Sequence, residues 1–516
     1  MGVFVLGLML LSLTIWLGLL CFWGQFWRTD QQLEVETLYT TSLQSLPVVC
    51  AVVPARNEAQ LLPTTLRSLL LQDYPGSFNV FLVDDRSTDQ TANFAKGVAH
   101  AVGKPQQLHI ISGVSLPPGW SGKLWAVEQG INNASKFAPD YFLLTDADIE
   151  HDPGNLRRLV AKAVQEDLDL VSVMVRLRCE SFWEKLLIPA FVFFFQKLYP
   201  FRWVNNPNNP TAAAAGGSIL IAREALERIG GIQVIRQALI DDCTLAQAVK
   251  RGTGNTSLPK AAPMTSSLPC GTLRVACLRA GVRQDQGGPV HRWGHFSTRG
   301  CANDKLPSLR DAMRSLLKSR GTTSLGRPSA SLGTREEFSQ SPLTLSEAEG
   351  MPNPHAPNPH WASPRFAKVG APSSPIRSQG RIWLGLSNLT QSVRPYDSLA
   401  TVWDMVARTA YTQLNYSPLL LLGTLVGMAL IYLIPPVCVI LGAVWSNWAI
   451  AFTGLLGWLL MTFAYYPIIR FYKCSLWFAF SLPAIAFLYT LMTLDSALRH
   501  WQGRGGAWKG RVYPNS

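Results

Sequence analysis

Apolar residues along this chain fall into short β-branched runs that end in polar clusters, helix-spaced leucines between them, and long continuous stretches near both ends. Pro47 to Pro54, Asn79 to Val83 and Tyr141 to Leu144 read as buried parallel strands, because each is a short apolar run bounded by turn residues. Leu61, Leu62, Leu66 and Leu69 to Leu71 recur at roughly helical spacing after the first run, and Thr91-Ala92 opens another helix after the second. Strand, helix, strand, helix predicts an α/β domain with a parallel sheet that binds ligands at the carboxyl ends of its strands. Three clusters fall on that edge: Ala55-Arg56-Asn57-Glu58, Asp84-Asp85-Arg86-Ser87-Thr88-Asp89 and Asp146-Ala147-Asp148.

Val3 to Trp23 is almost continuously apolar and long enough to cross a bilayer as a helix of about 20 residues. With no basic n-region and no small-x-small cleavage site, it reads as a signal anchor. Pro418 to Val444, Trp448 to Ile469 and Leu476 to Leu494 form a second group, with Pro435-Pro436 set to kink its first member. Phe182 to Tyr199 and Ser398 to Leu414 carry large apolar residues among polar ones and read as interfacial helices, the former equally compatible with ordinary core. Arg28, Arg470 and Lys473 agree with a cytoplasmic α/β domain, whereas Arg499, Arg504, Lys509 and Arg511 conflict with a four-span count unless one C-terminal segment is re-entrant or this cluster overrides the positive-inside tendency.

The polar clusters ask for one chemistry. Asp146 and Asp148 are hard oxygen donors two residues apart at a strand end, suited to a divalent metal (Mg or Mn) that also holds a diphosphate. Lys123, after Pro117-Pro-Gly-Trp-Ser-Gly122, is the cation for a leaving phosphate. Asp85 is placed to accept from a base or ribose donor, while Ser87 and Asp89 read as helix caps. Asp241-Asp242 ahead of Thr244-Leu-Ala-Gln-Ala-Val249 is open to two readings, a catalytic base or an N-terminal cap.

Val53-Pro-Ala-Arg-Asn-Glu58, Val83-Asp-Asp-Arg-Ser-Thr-Asp89, Gly122-Lys123, Thr145-Asp-Ala-Asp148 and Asp241-Asp242 together resemble the family 2 glycosyltransferases with a GT-A fold. The wider pattern, including Trp383-Leu-Gly-Leu386, Arg394-Pro-Tyr-Asp397 and Trp403-Asp-Met-Val-Ala-Arg408, looks most like the bacterial hopene-associated glycosyltransferases. The resemblance implies a GT-A catalytic domain with one N-terminal and about three C-terminal transmembrane helices. It implies donor contacts at Pro54, Arg56, Glu58, Asp85, Lys123, Asp146 and Arg394, metal at Asp146 and Asp148, and Asp242 as the base. Gln391-Ser-Val-Arg394 matches the spacing of the QxxRW motif of processive synthases, with Pro395 in place of the Trp.

Composition adds one oddity. Residues 253–379 are rich in Ser, Pro, Gly and Arg and carry sixteen Lys plus Arg against seven Asp plus Glu, so they supply +9 of the formal +13. The basic total therefore does not argue for nucleic acid, and this segment reads as a disordered insertion. A regulatory loop, a genetic scar and an inactivating lesion all remain open for it. The nine cysteines make no framework, and Cys270, Cys277, Cys301, His291 and His295 match no usual zinc spacing. The expected layout is an anchor at 3–23, a GT-A domain at 45–252 plus 380–397, the insertion at 253–379, an interfacial helix at 398–416, a membrane region at 417–496 and a basic tail at 497–516. The expected function is an inverting transfer of sugar from a nucleotide-diphosphate donor to a lipid-like, possibly hopanoid-related, acceptor at a bacterial inner membrane. The alternatives are a processive polysaccharide synthase and a membrane protein impaired by the insertion.

Overall fold

A computed structural model describes residues 2–33, 46–252, 379–504, 507–508 and 511–512. The proposed insertion, with its Cys and His residues, and most of the basic tail beyond Arg504 lie outside the described residues.

The three predicted strands form as β1 (Val49–Ala55), β2 (Phe78–Asp84) and β4 (Tyr141–Thr145), and β3 (Leu108–Ser112) adds one that the apolar pattern did not mark. They are joined by β5 (Ile149–Glu150), β6 (Leu170–Arg176), β7 (Ser218–Ala222) and β8 (Ile382–Ser392) in one sheet of order β3-β2-β1-β4-β7-β6-β8-β5. The first four are mutually parallel, β7 runs antiparallel between β4 and β6, and β8 returns parallel to β6. This is the mixed sheet of a GT-A fold. Every residue of β1 is buried, because helices cover both faces. Val49, Ala51 and Val53 pack with α2 (Leu62–Leu70), α3 (Thr91–Ala101) and α5 (Asn155–Gln165). Cys50 and Val52 pack with α4 (Gly122–Ala134), in the same cluster as α6 (Phe182–Leu198).

Two short helices, α7 (Phe201–Val204) and α8 (Arg223–Arg228), precede α9 (Asp241–Arg251). The chain leaves the domain after α9 and re-enters beside it. A Cβ at Gly380 would lie 2.3 Å from the Val249 carbonyl oxygen, and the Arg381 N–H donates to Asp169 Oδ2 at 2.7 Å.

Four helical stretches are long and apolar enough to span a membrane: Val3–Phe22, Pro418–Val444, Trp448–Phe471 and Leu476–Trp501. The first lies in α1 (Gly2–Phe22). After α10 (Leu399–Ala407) and α11 (Ala410–Gln413), the second stretch consists of α12 (Pro418–Met428), a π-helical turn at Ala429–Leu433 and α13 (Ile434–Val444). The break falls where Pro435 and Pro436, lacking N–H donors, leave carbonyls without partners. Trp16 Nε1 takes one of the loosened carbonyls, Ile431 O, at 2.9 Å. The last two stretches contain α14 (Trp448–Phe471) and α15 (Leu482–Trp501).

One expectation changes here. The segment Phe182 to Tyr199 is not a lipid-facing helix along its length: Phe193 is 1 % exposed and packs on Phe26 and Tyr465. With both charged ends held by the protein and its centre covered by α14 and α15, α6 is the core between the sheet and the membrane helices.

Candidate active site

The carboxyl edge gathers residues from six elements into two clusters. The first surrounds Lys123, the second residue of α4, whose start is fixed by Ser121 Oγ accepting from the Leu124 N–H. Lys123 Nζ lies 2.9 Å from Asp146 Oδ1 and 3.1 Å from Asp241 Oδ2. Burial works against its charge, but Asp146 and Asp241, with Asp242 behind them, hold its pKa well above the ordinary value. Asp146 is raised, first by burial; Lys123 opposes the rise and Asp148 adds to it.

Asp241 and Asp242 are the first two residues of α9, whose N-cap, Ile240, makes no side-chain cap. Asp242 Oδ2 accepts from the Gly216 N–H at 2.9 Å and Oδ1 from the Cys243 N–H at 2.7 Å. Burial, then Asp241, pushes its carboxyl up to about 6. Gly216 forms the floor between Asp242 and Lys123, where a Cβ would come into ordinary contact with Asp242 Oδ2 at 3.4 Å and Lys123 Nζ at 3.6 Å. The resulting cleft, about 380 Å³, is lined by Pro54, Lys123, Asp146, Asp241 and Asp242 over an apolar wall that includes Ile232 and Ile235. Tyr199, at the end of α6, stands next to it. Burial first, then Cys243 and Asp242, raises its phenol, which donates to Gln413 Oε1 at 3.0 Å.

The second cluster centres on Arg394, just beyond β8. Its Nε donates to Asp148 Oδ2 at 2.8 Å and its Nη2 to Glu58 Oε1 at 2.6 Å. Burial opposes its charge, and Asp148 and Glu58 more than compensate. Ser392 Oγ donates to Asp148 Oδ2 at 3.2 Å. On the β2 side, Asp85 is buried and Arg56 Nη1 donates to its carbonyl at 2.6 Å.

Asp89 caps the start of α3 as expected, whereas Ser87 does not, and both also tie two loops together. Ser87 Oγ accepts from the Asn57 N–H and Asp89 Oδ2 from the Ala59 N–H, so they fasten the loop after β1 to the loop after β2. Asp89 also accepts from the Thr91 N–H, while Gln90, at the helix start, contributes no cap. Behind Asp146-Ala147-Asp148, His151 is buried between Thr145 Oγ1 and Asn155 Nδ2 at 3.0 and 3.1 Å, and burial lowers its pKa to about 4. It is neutral at pH 7 and fixes the strand end that carries Asp146.

Among the described residues no three His, Cys, Asp or Glu side chains gather round a metal position. Asp146 and Asp148 alone still fit an Mg²⁺-type ion, which takes one or two carboxylates and completes its shell with phosphate oxygens and water. All the site residues expected from the sequence lie on this edge. Asp241, Gly216 and Ser392 were missed. The first was visible as half of an acidic pair, and the second as part of the Gly216-Gly217 break after a run of alanines.

Residues 50–230 match the family described as Glycosyl transferase family 2, so this stretch is a glycosyltransferase family 2 domain. Among curated proteins, the undecaprenyl-phosphate 4-deoxy-4-formamido-L-arabinose transferase of Enterobacter sp. (strain 638) is 30% identical over 151 residues, 28% of this chain and 42% of that protein. The protein of the same description in Sodalis glossinidius (strain morsitans) is 29% identical over 147 residues, again 28% and 42%. The chain thus spans less than half the length of the curated relatives it matches. Among solved structures, a mannosyltransferase from Pyrobaculum calidifontis in complex with GDP-Man and Mn²⁺ aligns with TM-score 0.33 and 21% identity, covering 48% of this chain and 64% of that one. The glucosyl-3-phosphoglycerate synthase of Mycobacterium tuberculosis aligns with TM-score 0.25 and 21% identity, covering 36% and 62%.

Proposed function

We propose that the chain is a membrane-bound, inverting glycosyltransferase that moves a sugar from a nucleoside diphosphate to a lipid-like acceptor. The observation that carries this reading is Asp242, held by the Gly216 N–H in a cleft shared with Lys123 and Asp146, with the end of α6 beside it. In the proposed reaction Asp242 takes the proton of the acceptor hydroxyl as its oxygen bonds to the anomeric carbon. The bond from that carbon to the diphosphate breaks, and the electron pair leaves with the phosphate. A single displacement of this kind inverts the anomeric centre, and no second carboxylate is needed as nucleophile. Lys123 and Arg394 are the cations for the leaving charge, Asp85 holds the base or ribose, and Pro54, Arg56 and Glu58 shape the donor side. A divalent ion held by Asp146 and Asp148 would supply Lewis-acid stabilisation of the diphosphate.

A base raised to about 6 is matched to an alcohol, which needs deprotonation, and not to a phosphate, which is already an anion at neutral pH. We therefore favour a lipid alcohol, with a hopanoid-related compound as the specific candidate from sequence resemblance, over the lipid phosphates named for the curated relatives. The domain faces the cytoplasm in this reading, where nucleotide sugars are found. Purified membranes supplied with a nucleotide sugar, a divalent metal and either a lipid alcohol or a lipid phosphate test it. Transfer to the alcohol that disappears on chelation is expected; transfer to the phosphate alone would reverse the acceptor assignment, and no metal-dependent turnover of any donor would end the enzymatic reading.

A further inference from the structure

The last apolar stretch is as long as a membrane span, yet it is tied at several points to the helices beneath the sheet domain. At its start, within the 3₁₀ turn Leu476–Ser481, the Phe478 ring meets Phe182 at the beginning of α6, 6.3 Å between centroids. In its middle, Tyr489 Oη donates to Leu187 O at 2.9 Å. Near its end, Trp403 Nε1 donates to Asp495 Oδ2 at 2.7 Å, the Tyr411 N–H donates to Ser496 Oγ at 3.0 Å, and Arg499 pairs with Asp404 at 2.8 Å.

The partners of α15 are themselves fixed to the catalytic domain. The buried Glu184, at the start of α6, accepts from the N–H of Ser181 and of Tyr396, and Tyr199, at its other end, bonds Gln413 of α11. So α15 runs beside α6, α10 and α11, with its last turns held by α10 and α11 and the turn before it placed between the start of α6 and the middle of α14. The preceding helix behaves differently. The later turns of α14 meet that layer through Tyr465 on Phe193 and its middle meets the turn before α15, where Trp458 Nε1 donates to the Phe480 carbonyl at 3.1 Å, while its beginning packs on α13 and α1: Ala451 against Gly442, and Gly457 against Met9.

A crossing helix must put its ends on opposite sides, about 30 Å apart for 20 residues. We infer that α15 does not cross the membrane but lies in the leaflet facing the catalytic domain, with its outer face against lipid. That face consists of Ala484, Phe487, Leu491, Leu494, Leu498 and Trp501, spaced three and four residues apart, all apolar and exposed or half-exposed. The opposite face, with Ile485, Tyr489, Met492 and Ser496, is buried on the protein. The occupant is lipid because the stripe belongs to a layer that continues into the exposed Leu419, Leu422 and Val426 of α12, a helix packed on α15 and joined to a membrane hairpin. Asp495 and Arg499 sit at the side of the stripe and pair toward α10, which keeps charge out of the acyl region. Three crossings remain: α1, the α12–α13 stretch and α14. The chain after Trp501, including Arg504, then lies on the same side as the catalytic domain, and the positive tail no longer conflicts with the rest.

A membrane-impermeant maleimide applied to sealed vesicles holding the full chain, with labelled peptides identified by mass, tests the assignment. Gln106→Cys marks the catalytic side, Ser446→Cys the turn between α13 and α14, and Gln502→Cys the end of α15. Labelling of positions 106 and 502 from one face and of 446 from the other is the expected result. If 502 is labelled together with 446, α15 crosses; if all three label from one face, the three-crossing count fails. A photoreactive acyl chain in the same vesicles should modify the peptide containing Phe487 and Leu491. Loss of that modification, with a cross-linked dimer formed through Leu491→Cys, would instead assign the stripe to a second copy of the chain.

Discussion

The two acid–base clusters on the sheet edge differ in balance, although they share the tripeptide Asp146-Ala147-Asp148. Lys123 is one cation among Asp146, Asp241 and Asp242, so its cluster carries excess negative charge. Arg394 bridges two carboxylates, Asp148 and Glu58, with a planar fork that fits both. The difference follows from position just beyond β4. Both residues lie in the turn that follows β4, which ends at Thr145, and there Asp146 meets Lys123 of α4 while Asp148 meets Arg394 and Ser392 of the β8 end. The first cluster is therefore suited to a base with a raised pKa, and the second to a carboxylate held in one orientation.

Substitutions can separate the two. Asp242→Asn should lower transfer by ~10² to 10⁴-fold while donor affinity stays near wild type. In the wild type, transfer should also fall below about pH 6, because the raised carboxyl must be unprotonated to act; an acid limb centred near 4 would show that Asp242 is not the titrating group. Asp148→Asn removes a charged acceptor from Arg394 and a proposed metal ligand, so donor and metal affinity should fall together by roughly tenfold to a hundredfold, on the order of 1.5–3 kcal/mol. Equal donor affinity in wild type and variant, measured by titration, would refute the metal role. A smaller loss is expected for Arg394→Lys, which keeps the charge but cannot span Asp148 and Glu58; the donor KM should rise several-fold with kcat less affected. Ser392→Ala removes one hydrogen bond to Asp148 and should cost the donor site about 0.5–1.5 kcal/mol. If it also changes the acid limb, the two clusters act as one unit.

Much of this edge was legible before any coordinates, because short apolar runs ending in Asp, Arg and Glu encode both a strand and its ligand-facing terminus. Asp85, Asp146 and Asp148 were placed that way, whereas Lys123 came from its position after the Pro-Pro-Gly turn and Asp242 as a base from the family resemblance alone. Gly216 was not legible, since its contribution is an absent side chain and a main-chain N–H, which composition does not display. Ser392 donates across 244 residues of sequence, and nothing local to Gln391-Ser-Val-Arg394 marks it. The apolar segments show a different limit. Hydrophobicity says that a surface avoids water but not whether protein or lipid covers it, so Phe193 in the core and Phe487 on the outer stripe read alike. For the same reason α14 and α15 are indistinguishable by length and composition, and only their end contacts separate them.

The meeting of Gly380 with Val249 has a consequence for how the chain assembles. Because the points of exit and return touch, β8 can reach β6 whatever lies between residues 252 and 380. If those residues supplied only length, closing them would cost roughly 2 kcal/mol more than closing a ten-residue loop, since that penalty grows with the logarithm of length. On that condition, loss of the stretch would shift the folding equilibrium by about as much as one or two buried methyl groups, and the touching ends let the sheet close without it.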